Sequence, residues 1–138
     1  MPFLLDTNII SEVRKGSVHC HRNVWRWYDA TPIEDLFLSV LVLGEMRKGV
    51  EAKRRRDPAS ARTFERRLRE VELEFADRIL SVTAEVCDYW GRLNAKVQVP
   101  AVDGLLAATA GHHGLTVATR NTVDFQRCRV DFVNPFEA

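Results

Sequence analysis

The stretch Phe3-Leu4-Leu5-Asp6-Thr7-Asn8-Ile9-Ile10 decides how this chain is read. Its apolar opening reads as a short buried strand over 3–6, and Asp6 closes it. A carboxylate there costs on the order of several kcal/mol if it loses water without gaining a partner. Glu45, Asp103 and Asp124 recur downstream in comparable settings. Carboxylates brought together repel one another, so protons or a metal cation must make such a cluster tolerable. The pattern points to an oxygen-rich divalent-metal site and to phosphate chemistry.

Working outward, apolar strand candidates alternate with helical patterns. A helix starts over 9–15 and stops at Gly16; another over 20–30 carries Val24, Trp27 and Tyr28 and ends before Pro32. Leu36-Phe37-Leu38-Ser39 reads as a second strand, followed by a long helix over 41–55 that Pro58 breaks and a second arm over 59–76. Ile79-Leu80-Ser81-Val82 is a third strand, and Thr83 is a plausible N-cap for a helix over 84–97, where Val86, Trp90, Leu93 and Val97 follow helical spacing. Beyond Pro100, Asp103 opens a helix of small residues that closes at Gly114. Residues 115–119 and 130–133 complete the strands. Alternation of this kind predicts an α/β fold: a mostly parallel central sheet of about five strands, helices on both faces, one domain over 1–138. Sites in such sheets form beyond the carboxyl ends of the strands, where Asp6 falls.

Each acid has a mundane use beside the chemical one. Asp6 and Asp103 suit helix N-caps, and Asp124 suits a turn. Glu45 shares a helix face with Val42 and Gly49; an ion pair with Arg47, Lys48 or Arg120 is the alternative for it. Gly49 weakens its helix by ~1 kcal/mol relative to alanine, which implies close backbone packing. Ala107, Ala110 and Gly111, on the face of Asp103, imply a helix lying very near the sheet. Such uses explain any one acid, but capping hardly explains four acids beside four core segments of a single sheet.

Composition narrows the class. With 138 residues and 46% hydrophobic content the chain has enough material for a core. No apolar run reaches the ~18–20 residues of a membrane span, and no basic-then-apolar leader is visible. Cys20, Cys87 and Cys128 are an odd, scattered set, which suits a reducing cytoplasm rather than a disulfide or zinc framework. The formal net charge of +1 hides an asymmetry. Residues 47–69 hold ten Lys and Arg against three acids, a surplus of seven, which leaves −6 on the remainder. That arm is a solvated helical face, a surface for RNA, or a grip for an acidic protein. Trp25, Trp27 and Trp90 read as core or interface residues. His19, His21, His112 and His113 read as surface or helix-end residues, none of them placed as a ligand. Arg120 suits either a substrate phosphate or an ion pair with the acids.

Four motifs in order resemble the PIN-domain ribonucleases, specifically the VapC-type toxins of bacterial toxin–antitoxin pairs. They are Leu5-Asp6-Thr7-Asn8; Leu38-Ser39 with Gly44-Glu45-Met46-Arg47-Lys48-Gly49; Asp103-Gly104-Leu105-Leu106-Ala107-Ala108-Thr109-Ala110; and Ala118-Thr119-Arg120-Asn121-Thr122-Val123-Asp124-Phe125. The resemblance spans nearly the whole chain and implies a PIN-like three-layer sandwich. It also implies an endoribonuclease dependent on Mg²⁺ or Mn²⁺, with Asp6, Glu45 and Asp103 as the acidic core and Asp124 as fourth acid. Thr119 resembles the family hydroxyl near the metal, and Asn8 an amide that orients a ligand. Relatives carry an acid at the position of Asn121 or of Asp124, and here only Asp124 is acidic. Implied partners are RNA, a second copy of the chain, and a small antitoxin that blocks the site and alone touches DNA.

Two rivals stand beside this reading. One is a PIN-fold regulatory module, catalytically weak, that works with a DNA-binding antitoxin. The other is a phospho-aspartate enzyme or receiver, but Asn8 stands where such a phosphatase needs a second Asp, and Arg120 where a receiver needs a lysine.

Overall fold

In the computed structural model, which describes residues 1–138, the opening apolar triplet forms β1 (Phe3–Leu5). Leu4 and Leu5 are fully buried, as expected of a strand covered on both faces. The chain continues through α1 (Thr7–Val13), α2 (Arg22–Ala30), β2 (Leu36–Ser39), α3 (Val40–Arg56), α4 (Pro58–Glu74) and β3 (Ile79–Leu80). It then forms α5 (Ala84–Asn94), α6 (Ala101–His113), β4 (Thr116–Ala118), α7 (Thr122–Arg127) and β5 (Phe132–Val133), with short 3₁₀ turns at Ile33–Asp35 and Pro135–Glu137. The strand order is β3-β2-β1-β4-β5. Every pairing is parallel, so the sheet is wholly parallel rather than mostly so.

The chain builds one half of the sheet outward from β1 through β2 and β3, then crosses back to lay β4 on the other side of β1. The crevice at the carboxyl ends of β1 and β4 is therefore a topological switch point, where open α/β sheets bind ligands. The core runs through it: Ile9, Ile10, Leu38, Val42, Leu106, Val117 and Phe125 are all fully buried in one apolar cluster.

Capping residues set several boundaries. Ser39 Oγ accepts the Leu41 N–H at 3.1 Å and starts α3, and Thr83 does the same for α5 through Val86 N–H at 3.2 Å. Asp57 caps α4 with Pro58 at its first position, so the predicted break is in fact a helix–helix corner. Gly114, at φ 68°, closes α6 in the left-handed conformation.

Several expectations are corrected. α1 begins at Thr7, not residue 9, because Asp6 itself caps it. Asp103 does not open α6: the helix begins two residues earlier, after Pro100, and places Asp103 within its first turn. α5 stops at Asn94, three residues short of Val97, because the chain must turn to reach Pro100. α7 was not foreseen, since six residues are too few to show a period. Gly49 does not mark close packing: a Cβ there would meet nothing within 4 Å. The close approaches lie on α6 instead, and they face α5 rather than the sheet. A Cβ on Gly104 would come within 3.0 Å of the Trp90 indole nitrogen, and one on Gly111 would collide with Tyr89. Ala107 and Ala110 belong to the buried core.

Candidate active site

Leu5 pairs with Ala118, so the next residue of each strand, Asp6 and Thr119, stand side by side at the switch point. Asp6 N–H donates to the Ala118 carbonyl at 2.9 Å, and Thr119 Oγ1 donates to Asp6 Oδ2 at 2.8 Å. Asp6 is 5% exposed and Thr119 is fully buried. The other Asp6 oxygen, Oδ1, accepts the Thr7 N–H at 2.7 Å, and Asn8 Nδ2 donates a longer bond of 3.3 Å to Oδ2. Asp6 thus caps α1 and also faces the crevice; the two uses coexist. Burial pushes its carboxyl above the usual range, the Thr119 and Thr7 bonds oppose this, and the charge of Glu45 pushes it up further.

α3 carries Glu45 to the same crevice, half-buried, where Thr7 Oγ1 donates to Glu45 Oε1. None of the expected ion pairs forms. Arg47 turns to Glu51 and Glu65, while the exposed Arg120 guanidinium lies 4.5 Å over the Phe136 ring. On the far side, the first turns of α6 and α7 bring Asp103 and Asp124 together. The Asn121 side-chain amide donates to both, at 3.0 Å each, and Asn121 N–H donates to Thr119 Oγ1 at 2.9 Å. The Asp103 carboxyl is pushed up to about 7, first by burial, then by hydrogen bonding with Asp124 and by the charges of Asp6, Asp124 and Glu45. One hydrogen-bonded chain therefore runs Glu45–Thr7–Asp6–Thr119–Asn121 and forks to Asp103 and Asp124. Asn8 braces its middle by accepting Arg120 N–H at 3.1 Å.

Every donor in that chain is neutral. None of the four acids has a Lys, Arg or His nitrogen within 4.0 Å, whereas ion pairs form elsewhere on the surface. Nor do three of the acids converge as a closed ligand cage. This donor set fits a hard divalent ion that keeps much of its water and takes only one or two carboxylates directly. His21 caps α2 by accepting Asn23 N–H, and His112 and His113 end α6, so no histidine enters the site.

The PIN domain profile matches residues 3–130, a span that holds all four acids. The chain belongs to the PIN-domain family. It is 37% identical to "VapC ribonuclease Y4jK" of Sinorhizobium fredii over 97% of both chains. It is 34% identical to "Toxin FitB" of Neisseria gonorrhoeae over 96% of this chain and 97% of the relative. Among solved structures, FitAcB from Neisseria gonorrhoeae superposes with a TM-score of 0.88 at 32% identity, covering 99% of each chain. The wholly parallel sheet and its flanking helices are thus those of a PIN domain.

Within this PIN domain, sequence reading missed two contacts. The Thr7 hydroxyl ties Glu45 to the first strand, and the Asn121 amide bridges Asp103 to Asp124. Both residues sit one to three positions from a named acid, but their partners lie 38 and 18 residues away, and no local pattern reports such a pairing. No helix is long and apolar enough to cross a membrane.

Proposed function

We propose that this PIN domain is an endoribonuclease dependent on Mg²⁺ or Mn²⁺, acting as one domain over 1–138 in the cytoplasm, and the toxin of a toxin–antitoxin pair. The observation that carries the reading is a crevice of four carboxylates at the switch point with no protein cation to balance them. Asp6 and Asp103 are the direct ligands in this reading, and Glu45 and Asp124 act through water or orient the nucleophile. A bound divalent ion would supply a water acidified for attack and neutralise charge on the phosphate. Thr119 and Asn8 hold Asp6 in place, Asn121 holds the opposite pair, and Arg120 is free to reach a phosphate oxygen. The relatives named above, a ribonuclease and a toxin, support this class of activity. The same resemblance supports a homodimer, and an antitoxin that covers the site and provides the only contact with DNA.

A second reading, a catalytically weak regulatory module working with a DNA-binding antitoxin, draws on the acids' failure to converge. Cleavage of a structured RNA pool in Mg²⁺ or Mn²⁺ against EDTA, beside Asp6→Asn, separates the two. Metal-dependent cutting lost in the variant is expected. A folded protein that binds Mn²⁺ yet cuts no RNA would favour the regulatory module.

A further inference from the structure

Arg120 follows Thr119 directly, so its side chain starts one residue from the bond that Thr119 makes to Asp6. Its N–H is held by Asn8 Oδ1 at 3.1 Å, and Asn8 Nδ2 in turn reaches Asp6. A permanently charged guanidinium therefore leaves the backbone beside four carboxylates that have no protein cation, yet it pairs with none of them. Coulomb attraction favours such a pair, so a competing contact must hold the side chain elsewhere. That contact is the Phe136 ring, 4.5 Å below the guanidinium carbon.

Phe136 is fixed from several sides. It lies in the 3₁₀ turn Pro135–Glu137, where its N–H donates to Asn134 Oδ1 at 3.0 Å. Its carbonyl accepts Asn23 Nδ2 of α2 at 2.8 Å. The His21 ring packs 5.1 Å from it, tilted by 58°. His21 caps α2, and its own N–H donates to Glu12 of α1 at 2.8 Å. Two helices and the last turn thus converge on the placement of one aromatic ring. Filling the space would need only an aliphatic side chain; a flat π face is what a guanidinium stacks on.

We propose that Phe136 is a positioning residue: it holds the Arg120 guanidinium out of the acidic crevice, which leaves the carboxylates open to a divalent cation, and presents that guanidinium to a phosphate of bound RNA. The inference deepens the nuclease reading and rests on it, since the cation and the RNA are the ligands that reading names. An arginine paired inside the crevice would have to be displaced before a metal entered. Stacked by its face, it keeps its N–H edges for a phosphate.

The test compares Phe136→Leu, which keeps apolar bulk without a π face, with Phe136→Tyr, which keeps the face. Mn²⁺ binding to the full chain is followed by electron paramagnetic resonance. Phe136→Leu should weaken it by about threefold, the scale of one exposed cation–π contact, and Phe136→Tyr should not. Adding Arg120→Gln to Phe136→Leu should restore wild-type Mn²⁺ affinity, because the competing cation is then gone. A merely structural loss would not be repaired by removing a second side chain, so failure of that rescue would overturn the proposal. Unchanged Mn²⁺ binding in Phe136→Leu would do the same. In ¹⁵N NMR the Arg120 Nε–H should move downfield in Phe136→Leu as the ring current is lost, and an unmoved resonance would overturn the stacking. In RNA cleavage at saturating Mn²⁺, Phe136→Leu and Arg120→Gln should each raise KM with kcat little changed, the pattern of a lost binding contact. A fall in kcat at unchanged KM would overturn the phosphate role. Wild-type protein that binds Mn²⁺ but cuts no RNA would remove the nuclease reading, and the Mn²⁺ rescue and the NMR shift would still decide the role of Phe136.

Discussion

The acidic crevice and the α3–α4 corner handle charge in opposite ways. In the crevice, four carboxylates share neutral donors, and Asp103 is pushed up to about 7. At the corner, Arg47 meets Glu65 through two bonds of 2.7 Å, Arg54 meets both Glu51 and Glu65, and Glu65 is pulled down to about 2. Those pairs consume the corner's inter-helix acids and leave Lys48, Lys53, Arg55, Arg56, Arg62, Arg67 and Arg69 without a carboxylate within 4.0 Å. One region stores repulsion that a cation relieves, and the other offers cations that a polyanion relieves. The contrast teaches that the net charge of +1 describes neither. On the reading proposed above, a metal and a phosphate backbone would meet on adjacent surfaces.

The largest effect should come from breaking the crevice. Asp6→Asn or Asp103→Asn should each cut metal-dependent RNA cleavage by about a hundredfold or more, the scale for losing one group of a preorganised charged site. Retained activity in either variant would remove that residue from the chemistry. Next in size is a pH effect of opposite sign in the two regions. Asp103 has a folded pKa of about 7 against 3.8 for the free group, so its contribution to stability is present at acid pH and lost as pH rises through 7. Melting in EDTA should therefore occur at a higher temperature at pH 5 than at pH 8, and Asp103→Asn should flatten the difference. Glu65, lowered from 4.5 to about 2, contributes above 4.5 and loses its contribution as pH falls through 2. Glu65→Gln should lower stability evenly above pH 4.5 and flatten that acid limb; a change in the pH 5 to 8 slope would show that the regions are coupled.

Smaller effects sharpen the comparison. Asn121→Ala removes the amide that bridges Asp103 and Asp124, and the apo protein should lose ~1–2 kcal/mol in urea melts. No loss would mean the two acids separate freely. Smallest is Arg47→Ala, at a half-exposed residue, which should lower the melting temperature only slightly, and less with added salt. A large fall that salt leaves unchanged would show that the corner is structural rather than a charged surface.

Much of this was legible in the residues. Apolar triplets separated by helical periods announced a parallel sheet, and the first of them, Phe3–Leu5, proved central. Asp6 was readable because a strand end in such a sheet is a ligand position whatever the neighbours. Glu45 was readable because a carboxylate on the face of Val42 demands a reason. Less was legible where a residue serves two uses. Asp103 looked like a cap and is not one, since two residues of helix precede it. Gly49 looked like a packing contact and borders open space. α7 left no periodic trace because it is too short.

Sequence by itself determined the class of fold, the order of the motifs and the acids worth watching, because strand hydrophobicity, helix period and capping chemistry act within a few residues. Only the tertiary structure decided that β4 returns beside β1. It also decided that Thr119 thereby meets Asp6, that Thr7 reaches Glu45 and that Asn121 spans Asp103 and Asp124. Asp124 apart, which lies three residues from Asn121, those partners are separated by 18 to 113 residues. Their meeting depends on how the strands are ordered and on which helix crosses which edge, a choice made by burial of the whole core and not by any local pattern.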